Sequence, residues 1–173
     1  MILSGQTINV ALKQTLEQIQ AARCYTLELL QDLSPEDWFA MPGGVSHIAW
    51  QVGHLATAEY RLCLDRIRGE RADDGRLISL AMLTLFGRGS VPIAEAEKYP
   101  PMSDIRAALE RVHKATMMEC ARLSDDDLSL APLRSHKYFS TKLGSLQWCS
   151  RHEMAHAGQI ALLRRMIGKP PLW

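Results

Sequence analysis

Apolar residues recur at steps of three and four along most of the chain, the spacing that lines up one face of an α-helix. Four segments carry this pattern, and they predict helices over residues 7–33, 46–68, 103–123 and 144–167, numbered helices 1 to 4. No stretch alternates between apolar and polar residues convincingly enough to predict a β-strand. Four long helices without strands predict an all-α fold, a four-helix bundle.

Residues that start or stop helices support these boundaries. Gly168 can adopt the left-handed conformation that ends helix 4, and the two prolines that follow at 170 and 171 cannot continue it. Ser103 can cap the start of helix 3. Ser34 and Ser124 are each followed by acidic residues, the order that a helix start favours, so two further short helices are predicted after them.

The connection between helices 2 and 3, residues 69–102, is too long for a bare loop in a compact domain. Its middle, residues 77–86, is apolar enough to form a short buried helix, and it could also cover a pocket or a partner surface. A connection of this length allows helices 2 and 3 to run parallel, because the chain has enough residues to travel back along the bundle.

The chain contains a short internal repeat. Residues 46–54 (SHIAWQVGH) resemble residues 144–152 (GSLQWCSRH), and in both segments a Trp precedes a His by four residues, about one helical turn. A helix pair repeated in this way suggests two halves related by a pseudo-twofold axis. Such an axis would place His54 of helix 2 opposite His152 of helix 4.

Length and charge narrow the class of protein. The 173 residues fit a single domain over residues 1–173, long enough to bury a full core. Lys and Arg number 20 against 19 Asp and Glu, so no overall charge attracts nucleic acid or an anionic membrane. The sequence contains no apolar run of about 18 residues and no signal-peptide pattern, so we expect no membrane association.

The four cysteines, Cys24, Cys63, Cys120 and Cys149, include no Cys-x-x-Cys pair. Each lies within a helical pattern, where a thiol behaves as a small buried hydrophobe. We therefore expect free thiols rather than disulfides, and a location in the reducing cytoplasm.

His152 and His156 are four residues apart on helix 4, so their imidazoles project from one face, one turn apart. That spacing is a common way to hold one metal ion from a single helix. The internal repeat nominates His54 as the third ligand. Three neutral imidazoles leave one coordination position open, the arrangement of a catalytic rather than a structural site. The alternative is that two histidines at this spacing occur by chance and bind nothing.

The same segment also matches His-Glu-x-x-His, the signature of zinc peptidases in which the Glu is the general base. The peptidases we compare take their third ligand downstream, but residues 157–173 contain no His, Asp or Glu. Glu153 lies about 100° around the helix from His152, so we expect it to face solvent. We interpret the match as a coincidence.

Two motifs resemble those of a known family. Helix 2 carries Gly-His-Leu-Ala at residues 53–56, and helix 4 carries His-x-x-x-His-x-Gly-Gln at residues 152–159. In this order they resemble the DinB-like superfamily of metal-binding four-helix bundles, and the similarity covers the chain from helix 1 to Gly168. The resemblance implies an up-up-down-down bundle with a long connection between helices 2 and 3.

The resemblance also implies a function. The three matching histidines, His54, His152 and His156, would bind zinc, nickel or a similar divalent ion, although three imidazoles alone also suit copper or iron. Many members of the family resemble homodimers, and the few with assigned chemistry include thiol-dependent S-transferases and a thiol-dependent isomerase. We therefore expect a homodimeric, metal-dependent enzyme that joins a small thiol cosubstrate to an electrophilic small molecule, with no catalytic residue assigned beyond the metal ligands.

Two alternative functions stay open. One is a metal-dependent hydrolase that activates water. The other is a non-enzymatic dimeric interaction protein whose fold the metal ion stabilises. An accessible coordination position with turnover of a thiol favours the transferase, and a sealed site favours the interaction protein.

Other residues near the predicted metal centre receive ordinary interpretations. His47 is interpreted as a surface residue at the start of helix 2. Cys149 is interpreted as a buried, inert thiol, because no basic neighbour is evident to lower its pKa. Gln159 could orient a metal ligand from outside the coordination shell. His113 and His136 fit neither helix face of the centre and are interpreted as unrelated to it.

Overall fold

The computed structural model describes residues 10–172, and within that range the protein is all-α, with no β-strand. The four long helices are α1 (Val10–Leu29), α3 (Ile48–Glu59), α6 (Met102–Cys120) and α8 (Lys142–Met166). The four short helices are α2 (Pro35–Phe39), α4 (Arg66–Arg68), α5 (Leu80–Leu85) and α7 (Asp125–Ser129). Short 3-10 turns lie at Pro42–Gly44, Asp74–Arg76 and Ala96–Lys98. The predicted all-α bundle is confirmed, while the first residues of predicted helix 1, residues 7–9, lie outside the described range.

Predicted helix 2 is continuous but not uniform. Helix α3 leads directly into a π-helical stretch, Tyr60–Asp65, and from there into α4. His47 caps the start of α3, because its Nδ1 accepts a hydrogen bond from the backbone N–H of Trp50 at 3.0 Å. The π-helical stretch changes which side chains share a face of the helix, since its hydrogen bonds join residues five apart rather than four.

The two short helices predicted after Ser34 and Ser124 are both present. Each serine hydroxyl accepts a hydrogen bond from the backbone N–H of the Asp three residues on, and that Asp side chain accepts one from the serine N–H. The prediction that Ser103 caps helix 3 is wrong. Helix α6 begins one residue earlier, with Pro101 at the cap position and no side-chain cap, because the fixed φ of the proline leads the chain into the helix.

Contacts between the long helices give their directions. Helices α1 and α8 are joined by Arg23–Glu153 and Leu29–Arg164. Helix α3 and its π-helical continuation are joined to α6 by Glu59–His113 and Cys63–Cys120, and to α8 by Gln51–Gln159 and Leu62–Ser145. Residue numbers rise together in the first two sets, so α1 runs parallel to α8 and α3 runs parallel to α6. In the third set they change in opposite senses, so α3 and α8 are antiparallel.

The helices therefore run up-down-down-up. The long connection and the parallel arrangement of helices 2 and 3 are confirmed. The expected up-up-down-down order is wrong, because residues 30–47 reverse the chain between α1 and α3, whereas the long connection restores its direction between α4 and α6.

The long connection carries α5, in the segment where a short buried helix was predicted. Met82 and Phe86 are buried, whereas Leu80 is 78% exposed. The Phe86 ring packs directly over Gly53 of α3, where an added Cβ would lie 2.5 Å from the ring. Glycine at position 53 therefore lets the connection lie against α3, next to His54.

The cysteines follow the prediction with one exception. Cys63, Cys120 and Cys149 are buried free thiols. Cys24 is exposed instead, because it faces outward from α1 while its neighbour Arg23 points into the core. Among the helices of residues 10–172, none is long and apolar enough to cross a membrane.

Candidate metal centre

His54 on α3 and His152 and His156 on α8 converge. One nitrogen from each imidazole lies within 4.8 Å of the other two. The ring centroids are 4.5 Å apart for His152 and His156, 4.7 Å for His54 and His156, and 5.2 Å for His54 and His152. This three-histidine cluster could hold a metal ion. It is the one such group of His, Cys, Asp or Glu that residues 10–172 contain.

Hydrogen bonds orient two of the three imidazoles. Nδ1 of His54 lies 2.8 Å from the backbone carbonyl oxygen of Phe86, which can only accept, so Nδ1 carries the proton. Nδ1 of His156 donates in the same way to Oε1 of Gln51, at 2.6 Å. In both rings Nε2 is then the nitrogen with the free lone pair, the state in which imidazole binds a metal.

Gln51 is itself held in one orientation. It is buried, and its Nε2 donates to the hydroxyl of Ser46 at 2.9 Å and to Oε1 of Gln159 at 3.2 Å. Because these two contacts occupy the amide nitrogen, the amide oxygen is turned toward His156. Gln159 thus lies one contact away from a predicted ligand, in keeping with the role suggested for it outside the coordination shell.

Trp50 supports His54 from one side. The two rings stack with centroids 4.9 Å apart and planes 9° from parallel. The equivalent contact is not repeated in the second half, where Trp148 stacks on Tyr138 at 4.4 Å. The internal repeat therefore predicted where the histidines lie but not how they are packed.

Burial keeps the three imidazoles in the neutral form. It lowers the pKa of His54 below its usual value. The pKa of His152 is lowered to about 4, mainly by burial and then by His54 and His136. The pKa of His156 is lowered to about 3, mainly by burial and then by the other two histidines of the cluster. At neutral pH all three rings have a lone pair to offer.

Glu153, which lies between the two histidines of α8, does not face solvent as expected. It is 2% exposed, and its carboxylate accepts a hydrogen bond from Nε of Arg23 at 2.8 Å. Arg23 also pairs with Glu59 at 2.8 Å, and the other oxygen of Glu59 lies 2.9 Å from Nδ1 of His113. We call these four residues the Arg23 cluster. The expectation failed because α1 covers this face of α8 and brings in a partner that is distant in the chain.

The position of Glu153 bears on the peptidase signature. Both of its carboxylate oxygens are engaged by the guanidinium of Arg23, at 2.8 and 3.1 Å. A general base needs a free oxygen within reach of the reacting group. The carboxylate is held in the core instead, in keeping with the interpretation of the signature as a coincidence.

A cavity of about 760 Å³ opens beside the three-histidine cluster, and His54 and His152 form part of its wall. His136 lines the same cavity, although the helical pattern gave no reason to connect it with the site. It lies on the loop between α7 and α8, where spacing along the sequence does not predict position. The volume suits a small molecule.

The structure also tests the interpretations of His47 and Cys149. His47 is buried rather than on the surface, because Tyr99 from the long connection packs edge-on against its ring at 4.6 Å. Cys149 is a buried thiol, as predicted, and it is absent from the group of residues that converge as possible ligands.

The fold and the cluster together define a helical bundle with a possible three-histidine metal site. Residues 18–160, which include all three histidines, match the DinB superfamily. The chain therefore belongs to the DinB superfamily, and the resemblance inferred from the motifs is confirmed. A search of curated proteins finds no match.

Proposed function

We propose that the protein is a metal-dependent enzyme of the thiol S-transferase type that uses one divalent ion, zinc or nickel, held by His54, His152 and His156. One observation carries the proposal. Three neutral imidazoles converge, and two of them also line a cavity of about 760 Å³. Three protein ligands leave a tetrahedral ion one open position, and the cavity provides room for a small molecule to reach it.

The residues of the cluster fit such an ion. All three donors are imidazole nitrogens, which suit zinc and nickel, whereas magnesium and calcium take oxygen ligands. Hydrogen bonds to Phe86 and Gln51 fix two of the rings, as is usual for metal-binding histidines. When bound, the ion would lower the pKa of a coordinated thiol from about 8.5, so that more of it is the nucleophilic thiolate at neutral pH.

The side chains around the centre would position the reactants. The ring of Trp50 and the backbone carbonyl of Phe86 hold the ring of His54, and the cavity wall would keep the electrophile within reach of the sulfur. The step forms one carbon–sulfur bond, the thiol proton passes to solvent, and the leaving group departs with the electron pair of the bond that breaks. We assign no side chain as a general base.

Metal analysis of the purified protein followed by a conjugation assay tests the proposal. Glutathione, cysteine and N-acetylcysteine are each offered with 1-chloro-2,4-dinitrobenzene as the electrophile. We expect about one ion per chain and conjugation well above the buffer rate only when the metal is present. His152→Ala should abolish both while the helical circular dichroism is kept. The matched control is His113→Gln, which removes a histidine outside the cluster and should leave both unchanged.

A negative conjugation assay would distinguish the two alternative functions, the hydrolase and the interaction protein. If the metal-loaded protein conjugates none of the thiols faster than buffer, the transferase proposal fails. Ester hydrolysis that depends on the metal would then favour the hydrolase. A bound ion without turnover of either kind would favour the dimeric interaction protein.

The homodimer stays a prediction. Three large apolar side chains four to twelve residues apart on α8, Met154, Leu162 and Met166, are each about half exposed and share a face with Gly158. An apolar stripe of this kind supports association through a helix face. Light scattering at several concentrations checks the prediction, and a mass that stays at 19.4 kDa throughout would contradict it.

A further inference from the structure

The wall of the cavity beside the three-histidine cluster is strongly basic. Four of its residues carry a positive charge at neutral pH, and none of the described residues that line it is Asp or Glu; the four are Arg61, Arg66, Arg88 and Lys137. The chain as a whole is almost neutral, with 20 Lys and Arg against 19 Asp and Glu. The positive charge is therefore a local feature of this cavity.

The π-helical stretch brings two of these arginines onto one face. In a regular α-helix, residues five apart point about 140° away from each other. Here the backbone N–H of Arg66 donates to the carbonyl oxygen of Arg61, five residues earlier, and Nη1 of Arg66 reaches the same oxygen at 3.3 Å. Arg61 and Arg66 consequently line the same cavity. Single π-helical turns of this kind occur frequently at functional sites.

Arg66 is partly buried, and its guanidinium is only partly paired. Its Nε is buried and finds no hydrogen-bond acceptor within residues 10–172. The pKa of the Arg66 guanidinium is lowered, mainly by burial. The nearby carboxylate of Asp65 favours the charged form, but three neighbouring arginines disfavour it: Arg61, Arg134 and Arg88. The carboxylate of Asp65 forms its ion pair with Arg134 instead, at 3.1 Å.

Arginines elsewhere in the bundle are different, and the buried Arg164 forms an ion pair with Asp32. Arg23 forms ion pairs with two carboxylates at 2.8 Å each, and Arg68 forms ion pairs with two at 2.8 and 2.7 Å. Within the described part of the chain, neither Arg61 nor Arg88 has a carboxylate within 4.0 Å. The protein thus satisfies its structural arginines and leaves those of the cavity without an anion.

We propose that this cavity takes a co-substrate carrying an oxyanion, a carboxylate or a phosphate group, which Arg61, Arg66 and Arg88 bind. Like charges gathered along a concave wall repel one another until an anion arrives. The planar fork of arginine matches the paired oxygens of either group. The inference rests on the proposed function, because it names the chemical class of a molecule that reacts at the metal centre.

Calorimetry with three probes of similar shape tests the proposal on the metal-loaded protein. The probes are benzoate, phenyl phosphate and neutral benzamide. We expect at least one anion to bind about tenfold or more tightly than benzamide, as charged hydrogen bonds allow. Comparing benzoate with phenyl phosphate tells which oxyanion the cavity prefers.

Substitutions show whether the arginines cause this preference. The double variant Arg61→Gln/Arg66→Gln should reduce it to less than about threefold, because glutamine keeps a polar side chain but removes the positive charge and the planar fork of donors. Arg88 is exposed, so Arg88→Gln keeps the fold and gives a partial loss if the double variant does not fold. The control is Arg122→Gln, an exposed arginine in the turn just after α6 that does not line the cavity.

Two results would overturn the inference. One is equal binding of benzamide and both anions by the wild-type protein. The other is an anion preference that survives in the double variant and in Arg88→Gln, since the metal ion alone would then explain it. Conjugation of a thiol without any anion preference would contradict this inference alone. An anion preference without conjugation would support the oxyanion site and contradict the transferase proposal.

Discussion

The three-histidine cluster and the Arg23 cluster both draw side chains from α3 and α8, and they differ in almost every respect. The three-histidine cluster is made of uncharged rings, is partly accessible and borders a cavity. The Arg23 cluster is built on the charged side chains of Arg23, Glu59 and Glu153, is almost wholly buried and holds both carboxylates against the one guanidinium. His152 and Glu153 are neighbours in the chain, yet each belongs to a different group.

The difference teaches how one helix can serve two purposes. A rotation of about 100° per residue points one side chain to the cavity and the next into the core. In the core, charges are stable only when they are paired with each other, so the Arg23 cluster closes on itself. At the cavity, neutral donors with free lone pairs remain, which is what a ligand from outside requires.

The largest expected effect comes from opening the Arg23 cluster. Arg23→Met leaves Glu59 and Glu153 as buried carboxylates without a counter-charge, so the free energy of unfolding should fall by about 3–5 kcal/mol. Denaturant titration measures the change. Lys13→Met, which removes an exposed ion pair with Glu17, is the control and should cost less than about 1 kcal/mol. A loss as small as that of the control would show that the cluster is not held by its charges.

Acidification should weaken the metal-free protein through the histidines before it affects the carboxylates. The folded-state pKa values of His152 and His156 are about 4 and about 3, below the unfolded value of 6.5, so the unfolded chain binds more protons as the pH falls below 6.5. Stability is then lost progressively as the pH falls from 6.5 to about 4 for His152 and to about 3 for His156. Burial alone would raise the pKa of Glu59, but Arg23 and His113 outweigh burial and hold the pKa below its unfolded value of 4.5. The stability that the Glu59 carboxylate contributes is therefore lost only as the pH falls below 4.5.

The control for this effect of acidification is a variant in which His54, His152 and His156 are all replaced by alanine. Between pH 6.5 and 4.5 the metal-free wild type should lose about 2 kcal/mol more of its unfolding free energy than this variant. Denaturant titrations at several pH values measure both. If the unfolding free energies of the two proteins fell in parallel with pH, the pKa values of the three histidines would not be lowered in the folded state.

A smaller effect is expected from the amide that orients His156. Gln51→Leu removes the acceptor for Nδ1 of His156, and metal affinity should fall by about tenfold. This is the lower end of the loss expected when a hydrogen-bond partner of a metal ligand is removed, because an amide carries no full charge. Gln159→Ala touches the centre only through Gln51 and should lower the affinity by less than about threefold. Competition with a chromophoric chelator measures both constants. Equal losses in the two variants would argue against a specific role for Gln51.

Much of the bundle could be predicted from the sequence, because apolar spacing determines which face of a helix is buried. Helix 4 was predicted over 144–167 and is observed as Lys142–Met166. The convergence of the three histidines followed from the spacing of His152 and His156 and from the repeat that pairs His54 with His152.

The features that could not be predicted depend on tertiary contacts or on the backbone. The carbonyl of Phe86 that orients His54 has no signature in the sequence, since every residue carries a carbonyl. Glu153 is buried because of Arg23, which lies 130 residues away in the chain. The π-helical turn that aligns Arg61 with Arg66 is a local change in hydrogen bonding that apolar spacing does not reveal.

Cobalt(II) titration followed by visible absorption reports both the ligands of the bound ion and any small molecule that joins them, so it tests whether the three histidines form an open metal centre. We expect one tight site per chain, with the spectrum of a nitrogen-ligated ion that changes when a small thiol is added. We expect no such site in the variant that lacks His54, His152 and His156. Cobalt binding that persists in that variant, or a wild-type spectrum that no thiol alters, would contradict an open metal centre built from these three histidines.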